Sequence, residues 1–178
     1  MLAVDTNIIV RYLTADHPEQ FVKAKGLIDG EDIFICTTVL LETECVLRRG
    51  YRFSSEQIIA ALTAFAGLPR VTLEDPTSAA KALGWMARGM DFADALHLEK
   101  AEGCEAFVSF DQDFASVANT ISEVKVRAPE SGDANLARAS SGRETVAAHA
   151  ADDGLVRRCG SHDFTAPAPR LMRFERPR

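Results

Sequence analysis

Five short apolar runs recur along this chain, each followed by a segment of helical pattern or by a turn rich in polar residues. Leu2-Ala3-Val4, Ile33 to Cys36, Arg70 to Glu74, Ala106 to Phe110 and Ile121 to Val126 read as strands, the first short and buried. Between them the helix signals are local and chemical. Thr6 or Asn7 is placed to cap a helix after the first strand. Pro18 suits a first helical position and Gly30 a helix end. Thr37 or Thr38 opens a helix that stops at Gly50, and Ser54-x-x-Gln57 is a capping box ahead of Glu56 to Ala66. Pro76 to Arg88 and Phe92 to Glu102 complete the set. Short apolar strands alternating with helices predict a parallel sheet covered on both faces. In such sheets ligands bind beyond the carboxyl ends of the strands. Asp5 follows the first strand and Asp111 the fourth, so acids stand where a site is expected.

The patterning covers residues 1 to about 128. Residues 129–178 are rich in Ala, Arg, Ser, Gly and Pro, poor in aliphatics, and expected to form a disordered tail with at most a weak helix over 143–151. The patterned part carries 12 Lys and Arg against 19 Asp and Glu, the tail 8 Arg against 7 acids, which gives the net charge of −6. A negative chain argues against nucleic acid as a partner unless its carboxylates gather around cations, so charge must be judged by patch. No apolar run approaches the roughly 20 residues needed to span a bilayer. The N-terminus has no basic flank or cleavable apolar stretch, so a cytoplasmic location is expected. Cys36, Cys45, Cys104 and Cys159 include no C-x-x-C pair, and reduced structural thiols are expected.

Four acids carry the chemistry: Asp5 at a strand-to-helix turn, Glu42 in an apolar helix, Asp94 near the start of another, and Asp111 after the fourth strand. Taken singly each has a plain structural role. Asp5 is a good helix cap, Glu42 can face solvent, and Asp111 and Asp113 can be turn residues. Asp91 suits the cap of the helix that bears Asp94. Glu42 and Glu44 lie about 200° apart around a helix, so only one of them can face a given site. Carboxylates drawn together oppose folding unless a cation compensates. Mg²⁺ and Mn²⁺ take oxygen ligands, keep several waters, and can activate water at a phosphodiester without a serine or histidine nucleophile.

Around these acids the chain resembles a known family. Asp5-Thr6-Asn7, the stretch from Thr38 through Glu42 to Arg48, Asp91-Phe92-Ala93-Asp94-Ala95-Leu96-His97-Leu98, and Val108-Ser109-Phe110-Asp111-Gln112-Asp113-Phe114 are similar, in order and spacing, to the motifs of PIN-domain nucleases. Within that family they resemble the VapC-type toxins of type II toxin–antitoxin systems. The resemblance implies a three-layer α/β/α sandwich with a central, mostly parallel sheet over residues 1–128. It also implies a metal-dependent endoribonuclease using Mg²⁺ or Mn²⁺, a homodimer, RNA as substrate and a cognate antitoxin as inhibitor. Residue by residue, Asp5, Glu42 and Asp94 match core metal ligands. Asp111 matches a more variable fourth acid, with Asp113 as its substitute, and Thr6 and Ser109 match supporting hydroxyls.

Other residues are read as structural. His97 is one turn from Asp94 but is expected to be packed or half exposed, and Trp85 and Met86 lie at core spacing. Arg48, Arg49 and Arg52 form either a solvated helix end or a rim for RNA phosphates or an antitoxin. Rival readings are a phosphotransfer module of receiver or phosphatase type, a catalytically silent PIN scaffold, and a deoxyribonuclease of the flap-endonuclease kind. The first lacks the D-x-D pair and the suitably placed lysine its chemistry needs. The second is disfavoured because all four acids are present, and the third because a compact chain leaves no obvious room for a helical arch.

Overall fold

The computed structural model describes residues 1–129. The tail expected over 129–178, with its weak helix, Cys159, His149 and His162, therefore lies outside the described residues apart from residue 129. Twelve elements follow one another: β1 (Leu2–Ala3), α1 (Thr6–Thr14), α2 (Pro18–Gly30), β2 (Ile33–Ile35), α3 (Thr37–Arg49), α4 (Ser55–Ala66), β3 (Val71–Leu73), α5 (Pro76–Met86), α6 (Phe92–Lys100), β4 (Phe107–Val108), α7 (Gln112–Ile121) and β5 (Val126–Arg127). Every strand pair is parallel. The ladders run β1-β2-β3 and β4-β5, with Leu2 opposite Ile33, Ile33 opposite Val71, and Phe107 opposite Val126. The architecture is an α/β sandwich.

The core forms where helices meet the middle strand. Ile33 and Ile35 of β2 are buried, as are Ile9 and Leu13 of α1, Leu47 of α3, Ile58, Leu62 and Phe65 of α4, and Phe92 and Leu98 of α6. Tyr12 packs edge-on against Phe65, with ring centroids 5.7 Å apart. Burying a side chain such as Phe65 stabilises by about 1.5–3 kcal/mol, and truncating it to alanine costs more because a cavity remains.

Local signals were mostly decisive. Pro18 opens α2 and Gly30 ends it, and Ser54 and Gln57 form both halves of the capping box. Four expectations need correction. α1 is capped by Asp5 instead of Thr6 or Asn7, because the aspartate oxygen reaches the Ile8 amide. At the start of α3 neither threonine caps. Instead the Glu74 carboxylate accepts from the Thr37 N–H at 2.7 Å across the fold. β1 is exposed, not buried, since it is an edge strand and Leu2 keeps 45% of its surface. The run Ala106 to Phe110 yields only a two-residue strand, and Ile121 belongs to the unexpected helix α7, leaving β5 at Val126–Arg127. Of the cysteines, Cys104 is exposed and so does not behave as a core residue. No helix among the described residues is long and apolar enough to cross a membrane.

Candidate metal centre

Two of the four acids, Asp5 and Asp111, begin helices, as does the neighbouring Asp91, and the same turn chemistry places each of them. Asp5 Oδ1 accepts from the Ile8 N–H at 3.1 Å at the start of α1. Asp91 Oδ1 accepts from the Ala93 N–H at 2.9 Å at the start of α6. Asp111 Oδ1 accepts from the Phe114 N–H at 2.9 Å at the start of α7. A carboxylate there satisfies an otherwise orphaned amide and meets the positive end of the helix dipole. The same turns put Asp5 just past β1 and Asp111 just past β4, at the carboxyl ends of parallel strands. Ser109 supports the second turn, its Oγ accepting from the Asp111 N–H at 3.0 Å.

Glu42 comes from the middle of α3 and Asp94 from the first turn of α6. Thr6, buried in the first turn of α1, donates from Oγ1 to Glu42 Oε2 at 2.6 Å and so draws α3 against the turn that holds Asp5. Glu44 points elsewhere, fully buried and paired with Arg48, so Glu42 is the glutamate that meets the first turn of α1 beside Asp5. Asp94 sits half-buried in the first turn of α6. Its carboxyl is held above the usual aspartate range by burial first, then by the charges of Asp91 and Asp111, with His97 and Arg48 opposing. That response places Asp94 within electrostatic reach of the end of β4. His97 itself is exposed.

The structure thus joins Asp5 to Glu42 through Thr6, and Asp94 to Asp111 through charge. Asp113 lies exposed in the first turn of α7, and no hydrogen bond or ion pair links it to the other acids. Among the described residues no three His, Cys, Asp or Glu side chains close into a ready-made cage for an ion. The donor set nevertheless suits a divalent cation of the magnesium type. It is all oxygen, and such ions keep most of their water and need only one or two carboxylates. The unfavourable charge at Asp94 is the feature a cation would offset. Asp5, Glu42, Asp94 and Asp111 are the residues that would hold it.

Arg48 is not a free rim cation, as one reading of the sequence had it, nor is it merely solvated. It spans Glu44 and Asp91 and ties α3 to the start of α6. Reasoning from sequence missed this link, although Glu44 and Arg48 stand at the i, i+4 spacing that favours a pair on one helix. Arg49 is exposed at the end of α3. A cleft of about 400 Å³ opens beside Asp5, lined among others by Asn7, Arg11, Gln20 and Lys23. A larger cavity of about 550 Å³ lies between α4, β3 and α5. It is apolar, contains none of the acids, and is not the candidate site.

No curated protein matches the chain. The family comparison is informative: the PIN domain family matches residues 2–120, the stretch that contains Asp5, Glu42, Asp94 and Asp111. PIN domains are generally nucleases and typically use divalent metals. With two thirds of its length matched and acids at the ends of its parallel strands, this chain belongs to the PIN domain family.

Proposed function

We propose that this protein is a metal-dependent endoribonuclease that works as the toxin of a type II toxin–antitoxin pair in the cytoplasm. RNA is its substrate, a small cognate antitoxin its inhibitor, and a homodimer its working form. The single observation that carries the nuclease reading is the PIN domain match over residues 2–120, which contains all four acids, with Asp5 and Asp111 just past parallel strands. Asp94 adds to it: its carboxyl is raised by burial and then by the charges of Asp91 and Asp111, a setting that a cation would relieve. The cleft beside Asp5 adds the Lys23 ammonium and the Asn7 amide, groups that suit a phosphate, while Arg11 is held by Asp16, Gln20 and Tyr51.

Asp5, Glu42, Asp94 and Asp111 hold Mg²⁺ or Mn²⁺ in this reading. The ion supplies neutralisation of charge on a phosphoryl oxygen and a lowered pKa for water. The protein's own part is orientation. Thr6 fixes one oxygen of Glu42, and backbone amides fix one oxygen each of Asp5 and Asp111. No serine, cysteine or histidine side chain is required as a nucleophile.

The test is incubation of the purified full chain with total RNA, with Mg²⁺ or Mn²⁺ and then with EDTA. Cleavage with metal and none in EDTA is expected. RNA destroyed unabated in chelator would refute the proposal. Co-expression with a candidate antitoxin, sought as a small protein encoded beside it, tests the toxin role, because an antitoxin would restore growth that the nuclease arrests.

A further inference from the structure

Glu44, Arg48 and Asp91 form an ionic chain between α3 and α6. The Glu44 side chain is only 1% exposed. Arg48 Nε lies 2.9 Å from Glu44 Oε1, close but not aligned as a hydrogen bond, while Nη2 donates to Glu44 Oε2 at 3.3 Å. Nη1 meets Asp91 Oδ2 at 2.6 Å. The other oxygen of Asp91, Oδ1, caps α6. Each end of the arginine fork therefore has one task, and so does each oxygen of Asp91.

Stability does not explain this arrangement. Removing a carboxylate and a guanidinium from water is costly, and apolar residues of similar volume usually serve as well or better. Here two buried atoms of the pair even lack an aligned hydrogen bond. What an apolar pair cannot do is hold Asp91. Glu44 fixes the guanidinium in one orientation, which leaves Nη1 aimed at the residue that sets the first turn of α6. Asp94 lies in that turn, three residues on. At the other end of the chain, Glu42 precedes Glu44 by two residues and faces the opposite flank of α3, where it receives the Thr6 hydroxyl. One helix thus presents a site acid on one flank and, on the other, the anchor for the helix that bears the next site acid.

We propose that Glu44, Arg48 and Asp91 act as a positioning brace that holds Asp94 in register with Glu42. The proposal rests on the nuclease reading of the site. None of the three is a catalytic residue; they act through the placement of Asp94.

The test is the double variant Glu44→Leu with Arg48→Met in the full chain. Four quantities are compared with wild type: melting temperature, Mn²⁺ affinity by electron paramagnetic resonance, and kcat and KM on a labelled RNA that wild type cleaves. The melting temperature should be unchanged or higher. Mn²⁺ affinity and kcat should each fall about 10- to 100-fold, the usual consequence of losing groups that orient a metal ligand, with KM little changed. A folded double variant with wild-type Mn²⁺ affinity and kcat overturns the brace. If the double variant does not fold, Arg48→Lys decides, because lysine keeps a charge beside Glu44 and leaves Asp91 charged but lacks the fork that reaches both carboxylates at once. The same losses support the brace, and wild-type values overturn it. Asp94→Asn separates the two claims. An inactive Asp94→Asn beside a fully active brace variant removes the brace alone, whereas full activity in Asp94→Asn removes the site itself.

Discussion

Thr6→Val isolates the contribution of one hydroxyl to the site. Valine matches threonine in shape, so no cavity opens, and its second methyl enters a position that is already buried. What disappears is the 2.6 Å bond to Glu42 Oε2. A hydrogen bond to a charged group contributes roughly 1.5–3 kcal/mol when both partners are buried. Glu42 is exposed, however, so water replaces the lost donor, and valine leaves no polar atom of its own unsatisfied. The net cost is therefore about 1 kcal/mol or less. For a chain of this size that lowers the melting temperature by roughly 2–4 °C. The functional cost should be far larger. Glu42 loses its one fixed oxygen, and freeing a metal-binding carboxylate from its orienting partner commonly costs about 10- to 100-fold in metal affinity or rate. Thermal melts, Mn²⁺ titration and RNA cleavage on the same preparation give the comparison. A variant that melts a few degrees lower yet cleaves RNA and binds Mn²⁺ as wild type would refute the role given to Thr6. So would a variant that unfolds outright.

Two further outcomes follow from the electrostatics. Asp94→Asn should abolish cleavage and, measured metal-free, should be more stable than wild type near neutral pH. The folded carboxyl titrates above the ordinary 3.8, so wild type loses stability as pH rises from that value through the raised one, and the advantage of the variant grows over the same window and then levels off. Urea denaturation at several pH values in chelator checks this, and an advantage that shrinks with rising pH would show the sign to be wrong. Arg49→Glu, at the exposed end of α3, should weaken RNA binding and flatten its dependence on salt. An unchanged salt slope would remove Arg49 from the RNA-binding surface.

What could be read in advance was what local chemistry determines. Pro18 opens α2 by its fixed ring, Ser54 with Gln57 and Asp91 start their helices through their own backbone partners, and Gly30 is the last residue of α2. The alternation of elements gave the parallel strands. Helix α7 escaped because Ser116, Asn119 and Thr120 dilute its helical propensity, although Phe114, Ala118 and Ile121 do mark one apolar face. The exposure of Leu2 escaped because it depends on which strand lies beside β1, a tertiary fact. The spacing of Glu42 and Glu44 showed that only one could face a given site, and the structure gives Glu42 the Thr6 hydroxyl and buries Glu44 against Arg48. The span of Arg48 to Asp91 joins residues far apart in the chain and depends on how α3 meets α6, which no local pattern records.

Asp5 and Asp111 each have one oxygen held by a backbone amide, which fixes the direction of the other. Calcium takes about six to eight oxygens and profits from carboxylates that bind through both, whereas magnesium accepts single contacts and fills its octahedron with water. In the proposed nuclease the two hydrogen bonds that start α1 and α7 would thus also aim the carboxylates of a magnesium site, so that helix initiation and metal binding depend on the same two residues.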